Sequence, residues 1–166
     1  RIAGGTISGP VTLEGDPRIT PQGGSGTISG VIGETGAARN LEIGIAGGSS
    51  NLTLSGANTY TGTTTLSNAT LNLRGSLASS AVNVGAASTI SGNGNIAGSL
   101  SFAAGATNLG VNLGLPGTLT VTGAANVNGG TTTVTVLPNP SVTPGGSVPL
   151  LNYGSTNATA ANFALA

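Results

Sequence analysis

Four carboxylates carry nearly all the acid–base chemistry this chain could offer: Glu14, Asp16, Glu34 and Glu42. There is no His, no Cys and no Lys, so Ser–His, Cys–His and Ser–Lys nucleophiles cannot be assembled from it. The soft metal ligands are missing for the same reason. The single charged cluster is Glu14-Gly15-Asp16-Pro17-Arg18, which could form a carboxylate pair for Ca²⁺ binding or glycoside chemistry. Gly15 and Pro17, however, are turn residues, and a solvated corner is the expected reading.

Three weaker signals point elsewhere. The stretch SGNGNIAG at 91–98 resembles glycine-rich Ca²⁺-binding repeats, with Asn where Asp would carry the charge. Thr118, Thr120 and Thr122 would share one strand face, as would Thr131, Thr133 and Thr135, and Thr63 with Thr65. Regular Thr-x-Thr rows on a flat face could order water and bind ice, but Ser and Asn stand at matching places, and Thr is a good exposed strand residue anyway. Carbohydrate binding wants aromatic platforms, and Tyr60 is read as a residue that covers a corner.

Composition narrows the class further. Charged residues make up 5% of the 166 positions and the formal net charge is zero, whereas gripping nucleic acid or an anionic membrane needs clustered basic side chains. Mean hydropathy is +0.27, which argues against disorder of the low-hydrophobicity, high-charge kind. No run approaches the roughly 20 apolar residues of a membrane-spanning helix. The opening RIAGGTIS has no signal peptide and reads as the start of an excised piece. Without Cys, regular backbone pairing has to supply the stability.

The elements available to position any site are strands. No window carries the apolar i, i+3, i+4, i+7 pattern of a helix. Short apolar–polar–apolar triplets recur instead, among them Leu52-Thr53-Leu54, Leu71-Asn72-Leu73, Val82-Asn83-Val84, Leu119-Thr120-Val121 and Val134-Thr135-Val136. GTISG occurs at 5–9 and again at 26–30, LTLSG at 52–56 returns as LTVTG at 119–123, and Leu52 and Leu54 reappear as Leu71 and Leu73. Repeats of about 20 residues are the mark of a solenoid, whose turns share one interior. The expected fold is all-β, a parallel β-helix of roughly seven or eight coils over residues 1–136, favoured over a β-sandwich. Leu52, Leu54, Leu71, Leu73, Val82, Val84, Leu119, Val121, Val134 and Val136 are its expected interior ladder. The 30 glycines are assigned to corners that need positive φ. From Leu137 the repeat gives way to a proline-rich run, and 137–166 is read as a cap blunting the last edge, with Val148, Leu150, Leu151, Tyr153 and Phe163 closing the interior.

The segment NLTLSGANTYTGTTTLSNATLNL at 51–73 resembles the passenger-associated transport repeat of Gram-negative autotransporters, the type V secretion family. GNGNIAGSLSFAAGAT at 92–107 and GTLTVTGAANVNGGTTTVTV at 117–136 resemble the final passenger coils, and GGSVPLLNYGSTNATAANFALA at 145–166 the segment before the linker and membrane barrel. The resemblance implies a right-handed β-helix whose C-terminal part is an autochaperone, emerging first through the outer-membrane pore and templating the coils that follow. It implies a bacterial cell-surface or secreted location, and as partners an outer-membrane β-barrel and an upstream passenger. The expected role is a non-catalytic stalk with no cofactor, no metal, no nucleic acid and no small-molecule substrate. The alternatives are a surface adhesin for host or sibling cells and, further off, an ice-binding solenoid.

Overall fold

Alternation along the strands sets which side chains enter the core. In Leu52-Thr53-Leu54 and Leu71-Asn72-Leu73 the leucines share one face and the polar residue takes the other. All four leucines are at most 1% exposed, while Thr53 and Asn72 are half-buried on the outside. The computed structural model describes residues 4–21, 24–44, 50–78, 81–112, 116–137 and 149–166. Val148, placed in the cap from sequence, lies outside that set.

The first turn holds β1 (Thr6–Ile7), β2 (Val11–Leu13) and β3 (Arg18–Ile19). The second holds β4 (Ser25–Ile28), β5 (Ile32–Glu34) and β6 (Leu41–Gly44). The third holds β7 (Ser50–Leu54), β8 (Ala57–Asn58) and β9 (Thr64–Ser67). Next come β10 (Ala69–Leu73), β11 (Ser76–Leu77) and β12 (Val82–Val84), then β13 (Ser88–Gly92), β14 (Asn95–Ile96) and β15 (Leu100–Phe102). A sixth turn is β16 (Thr107–Asn112) with the long β17 (Thr120–Val127). β18 (Thr132–Leu137), β19 (Asn152–Thr156) and β20 (Phe163–Leu165) close the stack, with one 3-10 turn at Ala160–Asn162.

Every strand pair among the described residues is parallel. The first strand of each turn joins an eight-stranded sheet, β1-β4-β7-β10-β13-β16-β18-β20. Parallel partners at successive levels, with no hairpin between them, make a β-solenoid and exclude the sandwich. The interior is filled by columns of like residues. Leu52, Leu71, Ile90, Leu109 and Val134 stack in one, and Ile43, Leu66, Val84, Phe102 and Val127 in another. Leu77, Ile96 and Val121 fill a third.

Several sequence expectations need correction. The stack has about six turns rather than seven or eight, because turn length varies. Ala69 and Ser88 are 19 residues apart, but Ile32 and Asn58 are 26 and Thr107 and Thr132 are 25. The echo between LTLSG and LTVTG is not a stacked repeat. Leu52 belongs to the eight-stranded sheet, whereas Val121 stacks on Ile96 in the other large sheet. Val136 does not fill the interior and is 40% exposed. It has the inward parity, but β20 reaches only as far as Val134 in register, so no strand among the described residues covers it from above. Tyr153, expected to close the end, is 51% exposed: it sits over Val121 on the outermost strand of its ladder. Leu150, Leu151 and Phe163 do pack against the core, each partly buried. The residues from 149 onward thus cover the last turn by continuing the parallel stacking.

Glycine has a second task beside the expected one: nine described glycines do take positive φ, but others serve close approach. At Gly30, Gly56, Gly75 and Gly94 the φ angle lies outside the left-handed region, and the reason for glycine is proximity. A Cβ on Gly30 would stand 1.9 Å from Gly9 O, on Gly56 2.3 Å from Gly30 O, and on Gly75 2.0 Å from Gly56 O. The same holds at 2.3 Å for Gly94 against Gly75 O. Successive turns meet backbone to backbone along this corner, and no side chain fits between them. Gly75→Ala is therefore expected to destabilise the fold by about 1–3 kcal/mol or more through forced backbone displacement. Gly15→Ala, with open space around it, should lie within about 0.5 kcal/mol of the parent. Urea unfolding of both variants checks the pair.

Candidate functional site

In the charged cluster, both carboxylate oxygens of Asp16 are engaged. Asp16 precedes β3, Asn40 precedes β6 and Thr63 precedes β9, so the three stand above one another at one corner. Asp16 Oδ1 accepts from the Asn40 backbone N–H at 2.9 Å and Oδ2 from the Asn40 side-chain amide at 3.2 Å. Asn40 Oδ1 in turn accepts from the Thr63 N–H at 2.9 Å. Glu34 makes a similar tie: its Oε1 accepts from the Thr61 N–H at 3.0 Å and the Thr61 hydroxyl at 2.6 Å. Its Oε2 takes the Arg39 N–H at 2.7 Å. Glu42 pairs with Arg18 one turn earlier at 2.7 Å. Glu14 is exposed and makes none of these contacts.

The electrostatics follow from these partners. Hydrogen bonds from the Asn40 backbone and side chain hold the Asp16 carboxyl below its usual value. The Thr61 hydroxyl, then the Arg39 N–H, does the same for Glu34, and Arg18 does it for Glu42. Donors that favour the charged form lower an acid's pKa, which moves these groups away from the near-neutral range a general acid or base needs. Asp16, Asn40, Glu42 and Thr65 line a shallow open depression. Among the described residues no group of three or more His, Cys, Asp or Glu could hold a metal ion.

The other candidates are dispersed. In SGNGNIAG, Asn93 donates its side-chain amide to Pro116 O at 2.9 Å, a tie to the following turn. The Thr rows fall in different places: Thr65 stacks between Glu42 and Asn83, Thr120 over Asn95, and Thr133 and Thr135 over Asn108 and Gly110. What the outer face of the eight-stranded sheet does present is a mixed column, Ser25, Asn51, Thr70, Thr89, Asn108 and Thr133.

Sequence reasoning missed a polar cluster inside the column. Asn58 is 1% exposed and stands in register with Leu77, where an apolar residue would be expected. Its Oδ1 accepts from the Ile32 N–H at 3.0 Å, and its amide donates to Gly56 O and Ser76 O at 3.0 and 3.1 Å. The side chain thereby pairs backbone groups that belong to three successive turns. Tyr60, read as a corner cover, is fully buried. Its hydroxyl lies 2.6 Å from Thr64 Oγ1, and burial pushes the phenol up to about 12. The available signal was periodic: 19 residues after Asn58 comes Leu77, so an Asn occupies a core column. No family model, curated protein or solved structure matches the chain.

Two expectations follow from these contacts. Asn58→Ala removes the partner of the Ile32 N–H and of Ser76 O, and leaves Gly56 O with only the Ser76 N–H; it is expected to cost about 2–5 kcal/mol in equilibrium unfolding. Asn58→Leu would restore apolar packing but not the hydrogen bonds, and should recover only part of that. Asp16, Glu34 and Glu42 set a pH dependence. Their folded pKa values lie below the unfolded ones, so the stability they contribute is present above about pH 4 and lost as pH falls through the folded values. Hydrogen-exchange protection at Arg39, Asn40, Thr61 and Thr63 is expected to fall on acidification before that at Leu71 and Ile90. A uniform loss would mean that the ties contribute nothing local.

Proposed function

We propose that this chain is a non-catalytic, membrane-proximal stalk and autochaperone portion of an autotransporter passenger. On this reading it acts at the bacterial surface, where its folded turns template and draw out the coils upstream. The observation that carries the reading is the mode of stacking. Each turn finds its backbone partners and its apolar cover only in the turns beside it, so a formed turn is a template for the next. The resemblance of residues 51–73 to a transport repeat falls on a regular part of that stack, where Ala69–Leu73 pairs residue for residue with Ser50–Leu54.

Energy for outward movement would come from stacking itself. Apolar burial is worth roughly 25 cal/mol per Å², and each added turn also closes a row of backbone hydrogen bonds. A non-catalytic role is supported by the direction of the pKa shifts, which push Asp16, Glu34 and Glu42 down and the buried phenol up. A second reading, a surface adhesin, is favoured by the polar column along the eight-stranded sheet. Binding of the isolated chain to cells or matrix would support it.

Truncation tests the main proposal. Residues 51–166 alone are expected to give a cooperative, protease-resistant β fold, whereas 1–116 is not. Within a longer passenger, deleting 117–166 should abolish surface display, and deleting 1–50 should leave the remainder folded. Equal display of the two deletions would overturn the templating role.

A further inference from the structure

The sequence holds two Asn-Gly pairs, Asn93-Gly94 and Asn128-Gly129, and the fold treats them differently. We propose that Asn128 is a site of spontaneous deamidation in the folded protein and that the stack protects Asn93 from the same reaction. The chemistry needs only water and a base from solvent. The Gly backbone nitrogen gives up its proton and attacks the Asn Cγ. The new N–Cγ bond closes a succinimide ring as the Cγ–Nδ2 bond breaks and ammonia leaves. Water then opens the ring at either carbonyl, giving aspartate or isoaspartate. Overall, one water is consumed and one ammonia released.

The reaction requires a Gly N–H free to lose its proton and a side-chain amide free to turn toward it. At Asn93-Gly94 both are engaged. Gly94 N donates to Leu73 O at 3.0 Å, and the Asn93 amide donates to Pro116 O at 2.9 Å. Gly94 is buried and packed against Gly75 O at the corner, so its peptide cannot turn its nitrogen toward the Asn93 Cγ without breaking these contacts.

Asn128-Gly129 lies in the bend between β17 and β18, and both residues are exposed. Gly129 has φ +96 and no neighbour closer than 3.6 Å to its Cβ position. The Asn128 N–H donates to Phe102 O at 2.9 Å, which anchors the backbone just before the reacting bond. Among the described residues, neither the Asn128 side chain nor the Gly129 N–H has a hydrogen-bond partner. The product would be a carboxylate far from the chain's four others, all of which precede residue 43. Isoaspartate would also lengthen the backbone by one carbon at the bend between β17 and β18, which belong to different sheets.

Incubating the folded protein in ¹⁸O-water at mildly alkaline pH, with peptide mass mapping over time, tests the proposal. Label is expected at residue 128 at least about tenfold faster than at 93, since each engaged hydrogen bond must first break. In urea the two sites should convert at similar rates. Asn128→Ser should remove the fast component and leave the slow one. Conversion at Asn93 as fast as at Asn128 in the folded protein would overturn the proposal, and so would an Asn128 that stays unconverted while the unfolded chain reacts.

Discussion

A strand of two to five residues cannot hold itself in water, and this chain is built almost entirely from such strands. Its backbone N–H and C=O groups have to be paired by the turns before and after, at a spacing near 4.8 Å. The rest of the molecule answers to that constraint. Leu, Ile and Val repeat in register because a column of like shapes keeps the spacing constant. Gly30, Gly56, Gly75 and Gly94 line one corner because a methyl group there would enter the carbonyl of the previous turn. The corner and the ladder are one requirement, applied to two parts of each turn.

Most polar groups inside the column obey the same rule; the buried Ser50 hydroxyl, without a partner among the described residues, departs from it. Asn58 lies where the two-stranded β2-β5 sheet ends and a longer ladder begins, and its amide supplies the pairing that a strand would otherwise give. Tyr60 and Thr64 satisfy each other beside it. Ser88, Thr107 and Thr132 form a buried column of small hydroxyl residues, with Thr107 and Thr132 in contact at 3.1 Å. Burying a polar group is tolerable when its partners are provided, and here those partners are often in the next turn. Polar residues in the core therefore tie one turn to another, as the leucines do.

Much of the stack was legible because its period is written in side chains. Leu52 and Leu54 against Leu71 and Leu73, and GTISG against GTISG, give the correct register directly. Where legibility failed, the missing quantity was three-dimensional. LTVTG looks like LTLSG because any inward strand of this fold reads that way, and the face it occupies depends on β17 running across two ladder positions at once. Val136 and Tyr153 have inward parity, but burial also needs a layer above, and how far β20 and β19 extend is not encoded in either residue. The corner glycines were recognised as corner residues, yet close approach between turns cannot be told from a positive φ by composition. The charged cluster was correctly read as a corner, while its ties to Asn40 and Thr61 depend on loops of unequal length that bring distant residues level.

The placement of charge bears on the proposed direction of assembly. All four carboxylates lie in the first two turns, and three of them bind groups across turns. From Ala69 onward the described turns are joined by backbone pairing, apolar columns and uncharged side chains. A segment joined in this way is insensitive to protonation state and needs only its neighbour in order to fold. The turns at the other end add ionised ties that are useful only after the corner loops are in place. If the chain leaves a pore C-terminus first, the self-sufficient turns come out before those that depend on a completed neighbour. That order suits a template, and the reverse order would present the turns that carry the ionised ties while nothing yet existed to hold them.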